Sequence, residues 1–469
     1  MWEGCHNPLS HGNFPPSLLL LTVNPMPQAK VEKGGDLKRK TDVGQIASEP
    51  RRKNFLKLLG PGLVTGASDD DPSGIATYAQ AGAQFGFSTL WTMVFTYPLM
   101  AAIQRISGEI GRVTGHGIAG NMARICPVWL SSVCIGAMVI ANTINIAADV
   151  AAMGAAVKLV VGGPPLIYAV GLAMMSLLLQ VFLPYTRYVK ILKWLTLVLF
   201  SYVITVFVVR VPWGTALKNT FIPAFHFTSD YFTVLAAIFG TTISPYLLFW
   251  QASQEVEEMR TIKEDHALVK APEQAVAQLD RIAIDTYIGM GFSNVVAYFI
   301  ILTTAVVLNT SGKSDIQTAA DAAEALRPMA GRFAFGLFSL GIVGTGLLAL
   351  PVLAGSAAYG VSEALRWRSG LEIQPSRAPR FYAVLAVVMG LGVALNFVSI
   401  DPIKALFWAA VINGLVGPPL MVVMMLIGSK TEIMKAFTIS RNLKIIGWAA
   451  TALMSVVAVL SIVGWVTAR

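Results

Sequence analysis

Three consecutive aspartates, Asp69, Asp70 and Asp71, lie inside an apolar stretch and are followed by Pro72-Ser73-Gly74. Proline lacks the amide donor of a helix and clashes with the preceding turn, so the segment is predicted to unwind. Unwound backbone exposes carbonyl oxygens, and carboxylates among them form the oxygen-rich environment that hard divalent cations prefer. We therefore predict a cation site with Asp71 as its main ligand and with Asp69 and Asp70 as further ligands. The alternative for each aspartate is that it caps the following helix from an exposed loop.

A second helix-breaking segment, Gly240-Thr241-Thr242-Ile243-Ser244-Pro245-Tyr246, occurs about five apolar stretches later. Because five is odd, the second set of stretches would enter a membrane inverted relative to the first. Interrupted helices at matching places in two inverted halves indicate the midplane site of a transporter. Thr241 and Ser244 are the candidate ligands from this break. Neither break contains the Lys or Arg that an anionic substrate would require.

The elements that must position these residues are membrane helices. The chain has 469 residues, of which 55% are hydrophobic and only 13% charged, and its mean hydropathy is +0.63. This composition excludes a disordered protein, a secreted disulfide scaffold and an ordinary cytosolic enzyme. The apolar stretches are long enough to cross a bilayer. An all-α protein with eleven spans is predicted, the first and sixth broken, at about 56–85, 88–111, 126–155, 165–184, 191–211, 232–252, 282–309, 332–362, 381–398, 402–427 and 445–466.

The charge distribution predicts the orientation of these spans. With the N-terminus in the cytoplasm, 27 of the 35 Lys and Arg residues fall on the cytoplasmic side, as the positive-inside rule requires. We therefore expect a multi-pass protein of the cell inner (plasma) membrane with its C-terminus outside. The net charge of +9 then gives no reason to expect a nucleic-acid partner. Residues 1–50 are predicted to be a disordered cytoplasmic tail and residues 51–469 the transporter domain, with repeat one at about 55–211, repeat two at about 232–427 and an extra helix at about 445–466.

The residues around both breaks resemble those of a known family. Pro61-Gly62-Leu63 and the stretch from Asp71-Pro72-Ser73-Gly74 to Gln80-Ala81-Gly82-Ala83-Gln84-Phe85-Gly86 are similar to the first helix of the Nramp divalent metal transporters, which carries Asp-Pro-Gly-Asn. The segment Gly240–Tyr246 resembles the family's Gly-Ala-Thr-(Ile/Val)-Met-Pro-His. The resemblance covers the whole eleven-span plan. It implies the LeuT-type inverted 5+5 repeat, a divalent cation as substrate and transport by alternating access.

Three departures from the family pattern bear on the ion. The family's Asn is Gly74 here, its Met is Ser244 and its His is Tyr246. A thioether favours soft ions, so its loss leaves a larger, oxygen-only site that suits partly hydrated Mg²⁺. The pattern resembles the Nramp-related magnesium transporters, and Mg²⁺ is the expected substrate. The alternative is a proton-coupled Mn²⁺/Fe²⁺ transporter of the Nramp type in which Ser244 is a tolerated change, and a sodium-coupled organic solute symporter ranks lower.

Four further residues are candidates for the ion pathway or for coupling: Asp149, Tyr246, Asn413 and Glu255. In the family, a His at the position of Tyr246 and a Glu at the position of Ala152 are thought to help pass a proton. Tyrosine is a poor proton carrier at neutral pH and alanine is none, so weak or absent proton coupling is predicted. Asn413, with Gly414 and Pro418-Pro419, is also predicted to interrupt the tenth span. No HExxH motif and no Cys/His or Ser/His pair at membrane depth is present, so neither an enzyme nor a cofactor is expected, and nothing indicates an oligomeric state.

Overall fold

A computed structural model describes residues 65–66, 68–183, 195–262, 264–398 and 401–467. These residues belong to one compact unit and form helices and turns, without a β-strand among them. The predicted tail over 1–50 lies outside the described residues.

Fifteen α-helices of six or more residues, numbered here in chain order, make up the described fold. They are α1 (Pro72–Phe85), α2 (Trp91–Thr114), α3 (Ile118–Ile125), α4 (Val128–Val161), α5 (Pro165–Phe182), α6 (Phe200–Val208), α7 (Trp213–Phe221), α8 (Ser229–Thr242), α9 (Pro245–Thr261), α10 (Ala275–Val307), α11 (Ala319–Glu324), α12 (Ala334–Ala364), α13 (Pro379–Leu395), α14 (Pro402–Ser429) and α15 (Arg441–Thr467). Shorter helical turns lie at Gly86–Thr89, Leu195–Leu199, Pro272–Gln274, Asn309–Ser311, Arg327–Ala330, Gly331–Phe333, Pro375–Arg377, Thr431–Met434 and Lys435–Phe437.

The predicted spans from 88–111 onward overlap helices in the described part of the chain, and the first predicted span is described from residue 65, with residue 67 outside the described range. Seven helical segments are long and apolar enough to cross a membrane, and a further pair, Pro72–Thr89 with Trp91–Thr114, is bent by 109°. Both predicted breaks are present. Thr65, Gly66, Ser68 and Asp69 are helical, and α1 begins again at Pro72. Likewise α8 ends at Thr242 and α9 begins at Pro245.

One expectation about helix breaks was wrong. The tenth span is not interrupted, because α14 runs without a break through Asn413, Pro418 and Pro419. Membrane helices tolerate internal proline where packed neighbours satisfy the freed backbone groups. The helices at the sixth and seventh spans extend past the predicted limits of 252 and 282, since α9 continues to Thr261 and α10 begins at Ala275.

The broken helices lie at the centre of the bundle. The apolar window of the Ser229–Thr261 segment is 94% buried, whereas that of α5 is only 22% buried and lies at the outside of the bundle. Helix α1 packs against α8, α10 and α14, and α4 packs along α12 and α14. Helices α8 and α14 approach closely because Gly240 and Gly414 meet. A Cβ atom on Gly240 would lie 2.1 Å from the Ala410 carbonyl oxygen.

Candidate functional site

Asp71 joins three helices at the first break. It adopts an extended conformation (φ −68°, ψ 170°) and caps α1, where its Oδ1 accepts hydrogen bonds from the Gly74 amide and the Ser73 hydroxyl, both at 2.7 Å. Its Oδ2 accepts from Asn145 Nδ2 of α4 at 3.2 Å and from the Tyr246 hydroxyl of α9 at 3.1 Å. The carboxylate is fully buried, so the cap exists but not in the exposed loop that the alternative assumed.

Asp69 and Asp70 lie on the opposite side of the break, against α10. The Ser293 hydroxyl contacts Asp69 Oδ2 at 2.6 Å and Asp70 Oδ1 at 3.0 Å. The second oxygens, Asp69 Oδ1 and Asp70 Oδ2, are buried and make no hydrogen bond with the described residues. Within the described ranges no three Asp, Glu, His or Cys side chains converge as a metal cluster. An ion beside Asp71 would therefore draw at least some of its protein ligands from neutral oxygens.

Gly74 and Thr241 lie at the point where the two breaks meet. A Cβ atom built on Gly74 would lie 3.0 Å from Thr241 Oγ1, 3.3 Å from the Asp69 carbonyl oxygen and 3.4 Å from Asp71 Oδ1. The missing side chain thus leaves room among a hydroxyl, a backbone carbonyl and a carboxylate. Thr241 Oγ1 faces the Tyr78 hydroxyl, but neither forms a hydrogen bond with the described residues. Carboxylate, carbonyl and hydroxyl oxygens are ligands for hard divalent cations.

The Ser244 hydroxyl forms its hydrogen bonds within the second break. It precedes Pro245 in an extended conformation, and its hydroxyl lies 2.9 Å from the Gly240 carbonyl oxygen and 2.8 Å from that of Thr241. These carbonyls lose their helical partners where α8 ends, and the hydroxyl donor compensates for that loss. The serine oxygen remains at the break as a hard acceptor.

Of the four pathway candidates, Tyr246 and Asp149 lie beside Asp71. Asp149 of α4 is fully buried and faces the Ser73 amide and the Asp71 carboxylate, but its oxygens make no hydrogen bond with the described residues. The Asn413 side chain is buried and likewise has no hydrogen-bond partner among them.

Glu255 lies farther along α9 in a separate ion-pair group. It pairs with Arg281 of α10 at 2.5 Å, and Arg281 also contacts Glu258 at 2.9 Å. The buried Arg112 of α2 pairs with Asp265 at 2.5 Å. These contacts link α2, α9 and α10 at the ends that carry the predicted cytoplasmic loops, rather than at the helix breaks.

Sequence reasoning gave no site role to Asn145 or Ser293. Asn145 donates to Asp71, whereas Asn142 joins α4 to α12 through the Leu353 carbonyl and the Ser356 hydroxyl. A signal for Asn145 was present, because it lies four residues before Asp149 and so shares its helix face. No comparable signal marks Ser293, which reaches the aspartates only because α10 packs on α1.

Comparison with known proteins places this chain in a family. The sequence profile described as natural resistance-associated macrophage protein-like (Nramp) matches residues 62–464. A divalent metal cation transporter MntH of Pectobacterium carotovorum is 27% identical over 382 residues, covering 76% of this chain and 87% of that protein. A divalent metal cation transporter MntH of Mycobacterium tuberculosis is 24% identical over 439 residues, covering 90% and 96%.

Solved structures share the fold. A manganese transporter of Eremococcus coleocola, in complex with an aromatic bis-isothiourea substituted compound, superposes with a TM-score of 0.68 at 18% identity over 90% of each chain. MhsT in complex with L-phenylalanine superposes with a TM-score of 0.55 at 13% identity, covering 87% of this chain and 98% of that one. The predicted all-helical LeuT-type fold with broken helices is confirmed. The chain belongs to the Nramp family of divalent metal transporters.

Proposed function

We propose that this protein carries a divalent metal cation across the membrane, with Asp71 as the only charged ligand of the bound ion. The observation that carries the proposal is the placement of Asp71 at the meeting point of both helix breaks, buried and in contact with α4 and α9. A buried carboxylate in a membrane bundle is costly unless it serves an ion or proton pathway. The relatives named as divalent metal cation transporters support the same substrate class.

The other ligands that we propose are neutral oxygens around Gly74. Thr241 Oγ1 and the Asp69 carbonyl oxygen face the same space as Asp71 Oδ1. The helical stretch that ends near Asp69 directs its C-terminal carbonyls, with their partial negative charge, toward this space. An incoming cation would replace hydrogen-bond donors that now contact the Asp71 carboxylate. Asp69 and Asp70 would contribute negative potential from the α10 side rather than direct ligation.

Mn²⁺ is the ion that the relatives favour over the Mg²⁺ expected from the sequence. The name of the Eremococcus coleocola structure specifies manganese, and oxygen ligands accept Mn²⁺ as well as Mg²⁺. Mg²⁺ remains the second candidate for one reason specific to this chain. The second break presents the Ser244 hydroxyl where the family carries a thioether, so nothing in the proposed ligand set favours a soft ion.

The test is uptake by proteoliposomes that contain the purified protein. Asp71→Asn removes the charge with little change in shape and should nearly abolish Mn²⁺ uptake. Asp230→Asn is the matched control, because Asp230 is an exposed aspartate in the first turn of α8 and its loss should leave uptake unchanged. Uptake near the wild-type level in Asp71→Asn would refute the proposed site.

Competition among ions separates the two candidate substrates. Unlabelled Mn²⁺, Mg²⁺ and Cd²⁺ are added in turn to a flux assay with a Mn²⁺ tracer. Effective competition by millimolar Mg²⁺ would favour the magnesium alternative, whereas competition by Mn²⁺ alone would favour a manganese transporter. Preferential transport of Cd²⁺ would contradict an oxygen-only site.

A further inference from the structure

A basic cleft lies at the end of the bundle where three predicted cytoplasmic segments meet. Its walls come from the α2–α3 connection, the end of α9 and the α12–α13 connection. Two adjoining cavities of about 520 Å³ each share Arg260, Arg366, Trp367 and Ser369. This volume falls within the usual range for small-ligand pockets. The cleft is separate from the helix breaks and has no part in the proposed transport site.

Positive charge in this cleft greatly exceeds negative charge. The lining residues include five exposed arginines: Arg124, Arg260, Arg366, Arg368 and Arg377. Within the described part of the chain, none of the five has a carboxylate partner within 4.0 Å. One carboxylate, that of Glu363, also lines the cleft. Its oxygens accept hydrogen bonds from the Gly120 amide at 3.1 Å and the Ser253 hydroxyl at 3.0 Å.

A histidine in the same cleft responds to this excess of positive charge. His116 lies on the α2–α3 connection, and its Nε2 is 2.7 Å from Arg124 Nη2. Partial burial lowers the pKa of His116, and the positive charges of Arg124, Arg260 and Lys270 lower it further. The cleft therefore disfavours an additional cation and favours an anion.

Arg366 holds a backbone conformation that usually belongs to glycine. It follows the end of α12 with φ +56°, and the turn is closed by the Trp367 amide, which donates to the Ser362 carbonyl at 2.7 Å. Glycine is the favoured residue at this position of a helix C-terminus because it lacks a Cβ atom. An arginine here retains its positive charge at the cost of backbone strain. Such strain is a reason to ask what the side chain does.

We propose that this cleft binds a phosphate-bearing anion, either the headgroup of an anionic membrane lipid or a free phosphate compound. Guanidinium groups match phosphate oxygens in bidentate geometry, and basic pockets between membrane helices on the cytoplasmic side bind anionic lipid headgroups. The arginines lie at helix ends and connections, where a lipid headgroup and a solute from the cytoplasm both have access. Trp367, stacked under the Arg380 guanidinium at 5.2 Å, supplies an apolar wall.

The test compares two double variants of the full-length protein in a neutral detergent. Arg366→Gly with Arg368→Gln removes two charges from the cleft and relieves the strain at position 366. Lys435→Gly with Arg441→Gln is the matched control, because Lys435 also has a positive φ of +51° and both residues are exposed outside the cleft. The probes are dioctanoyl phosphatidylglycerol, dioctanoyl phosphatidylcholine and inorganic phosphate. Binding is followed by native mass spectrometry and thermal shift.

The wild-type protein should bind phosphatidylglycerol more tightly than phosphatidylcholine. Each arginine removed should weaken that binding about fivefold, so the cleft variant should bind about 25-fold more weakly and the control variant as the wild type does. Failure of inorganic phosphate to displace the lipid would assign the site to lipid headgroups. Phosphate binding without lipid, lost in the cleft variant alone, would assign it to free phosphate. Equal binding of the two lipids with no phosphate binding, or equal weakening in both double variants, would overturn the proposal.

Discussion

Gly74→Ala tests whether the space at the helix breaks is the ion site. The added Cβ atom would lie 3.0 Å from Thr241 Oγ1, 3.3 Å from the Asp69 carbonyl oxygen and 3.4 Å from Asp71 Oδ1. These contacts are tight but require shifts of only a few tenths of an ångström. Metal–oxygen bonds to Mg²⁺ are about 2.1 Å and those to Ca²⁺ about 2.3–2.6 Å, so a cation held by these three oxygens would compete with the methyl group for the same space. We expect uptake to fall more than about tenfold, which corresponds to about 1.4 kcal/mol.

The fold should survive this change. Alanine replaces glycine near the start of α1 and lowers the conformational entropy of the unfolded chain, which stabilises the fold by about 0.4–1 kcal/mol. This stabilisation offsets the cost of the tight contacts. The assay therefore measures Mn²⁺ and Mg²⁺ uptake together with the thermal unfolding midpoint. Gly171→Ala on α5 is the control, because a Cβ atom there meets nothing within 4 Å. Unchanged uptake by a well-folded Gly74→Ala variant would refute the location of the site.

Three further predictions concern selectivity, coupling and stability. Ser244→Met should shift preference toward Cd²⁺ and Mn²⁺ in competition assays, because it adds a soft thioether; an unchanged order of ions would place Ser244 outside the ligand shell. A pH-sensitive dye inside proteoliposomes should report little acidification during metal influx, because Tyr246, which contacts Asp71, is a poor proton carrier at neutral pH; strong metal-dependent acidification would establish coupling. Arg281→Gln should lower stability by about 3–5 kcal/mol because it leaves the buried Glu255 unpaired, and Glu255→Gln in the same chain should recover most of that loss.

The breaks could be predicted from the residue that precedes each proline. Asp71 and Ser244 are extended and polar, and each is followed by a proline in the first turn of a helix, where the missing amide has no helical partner to lose. Asp401 before Pro402 starts α14 in the same way. Pro418 follows Gly417 in the interior of α14 and has no polar residue before it that could cap a new helix. The prediction of a break there was wrong because Asn413, Gly414 and the two prolines do not place a capping residue directly before a proline.

Only those features of the site that depend on one segment of the chain could be predicted from the sequence. Asp71 is identifiable because a carboxylate precedes a proline in an apolar stretch. The sequence does not show which neighbouring helix each of the three aspartates contacts, because that depends on which helix offers a hydrogen-bond donor. Ser293 of α10 contacts Asp69 and Asp70, whereas Asn145 of α4 donates a hydrogen bond to Asp71. Those contacts follow from the packing of distant segments. The spacing of Asn145 and Asp149 places both on one face of α4 but does not indicate which aspartate they meet.

An ion bound at Asp71, as we propose, would also affect how the broken helix is held. Its two oxygens accept four hydrogen bonds, two from the first turn of α1 and one each from Asn145 and Tyr246. A hydrogen bond to a charged group contributes about 1.5–3 kcal/mol, so a cation that takes over this carboxylate must offset several such bonds. Replacing the first pair loosens the cap of α1, and replacing the second pair frees α1 from α4 and α9. In the proposed mechanism the bound and empty states would therefore differ in how firmly the broken helix is held, and such a difference would let an ion gradient drive alternating access.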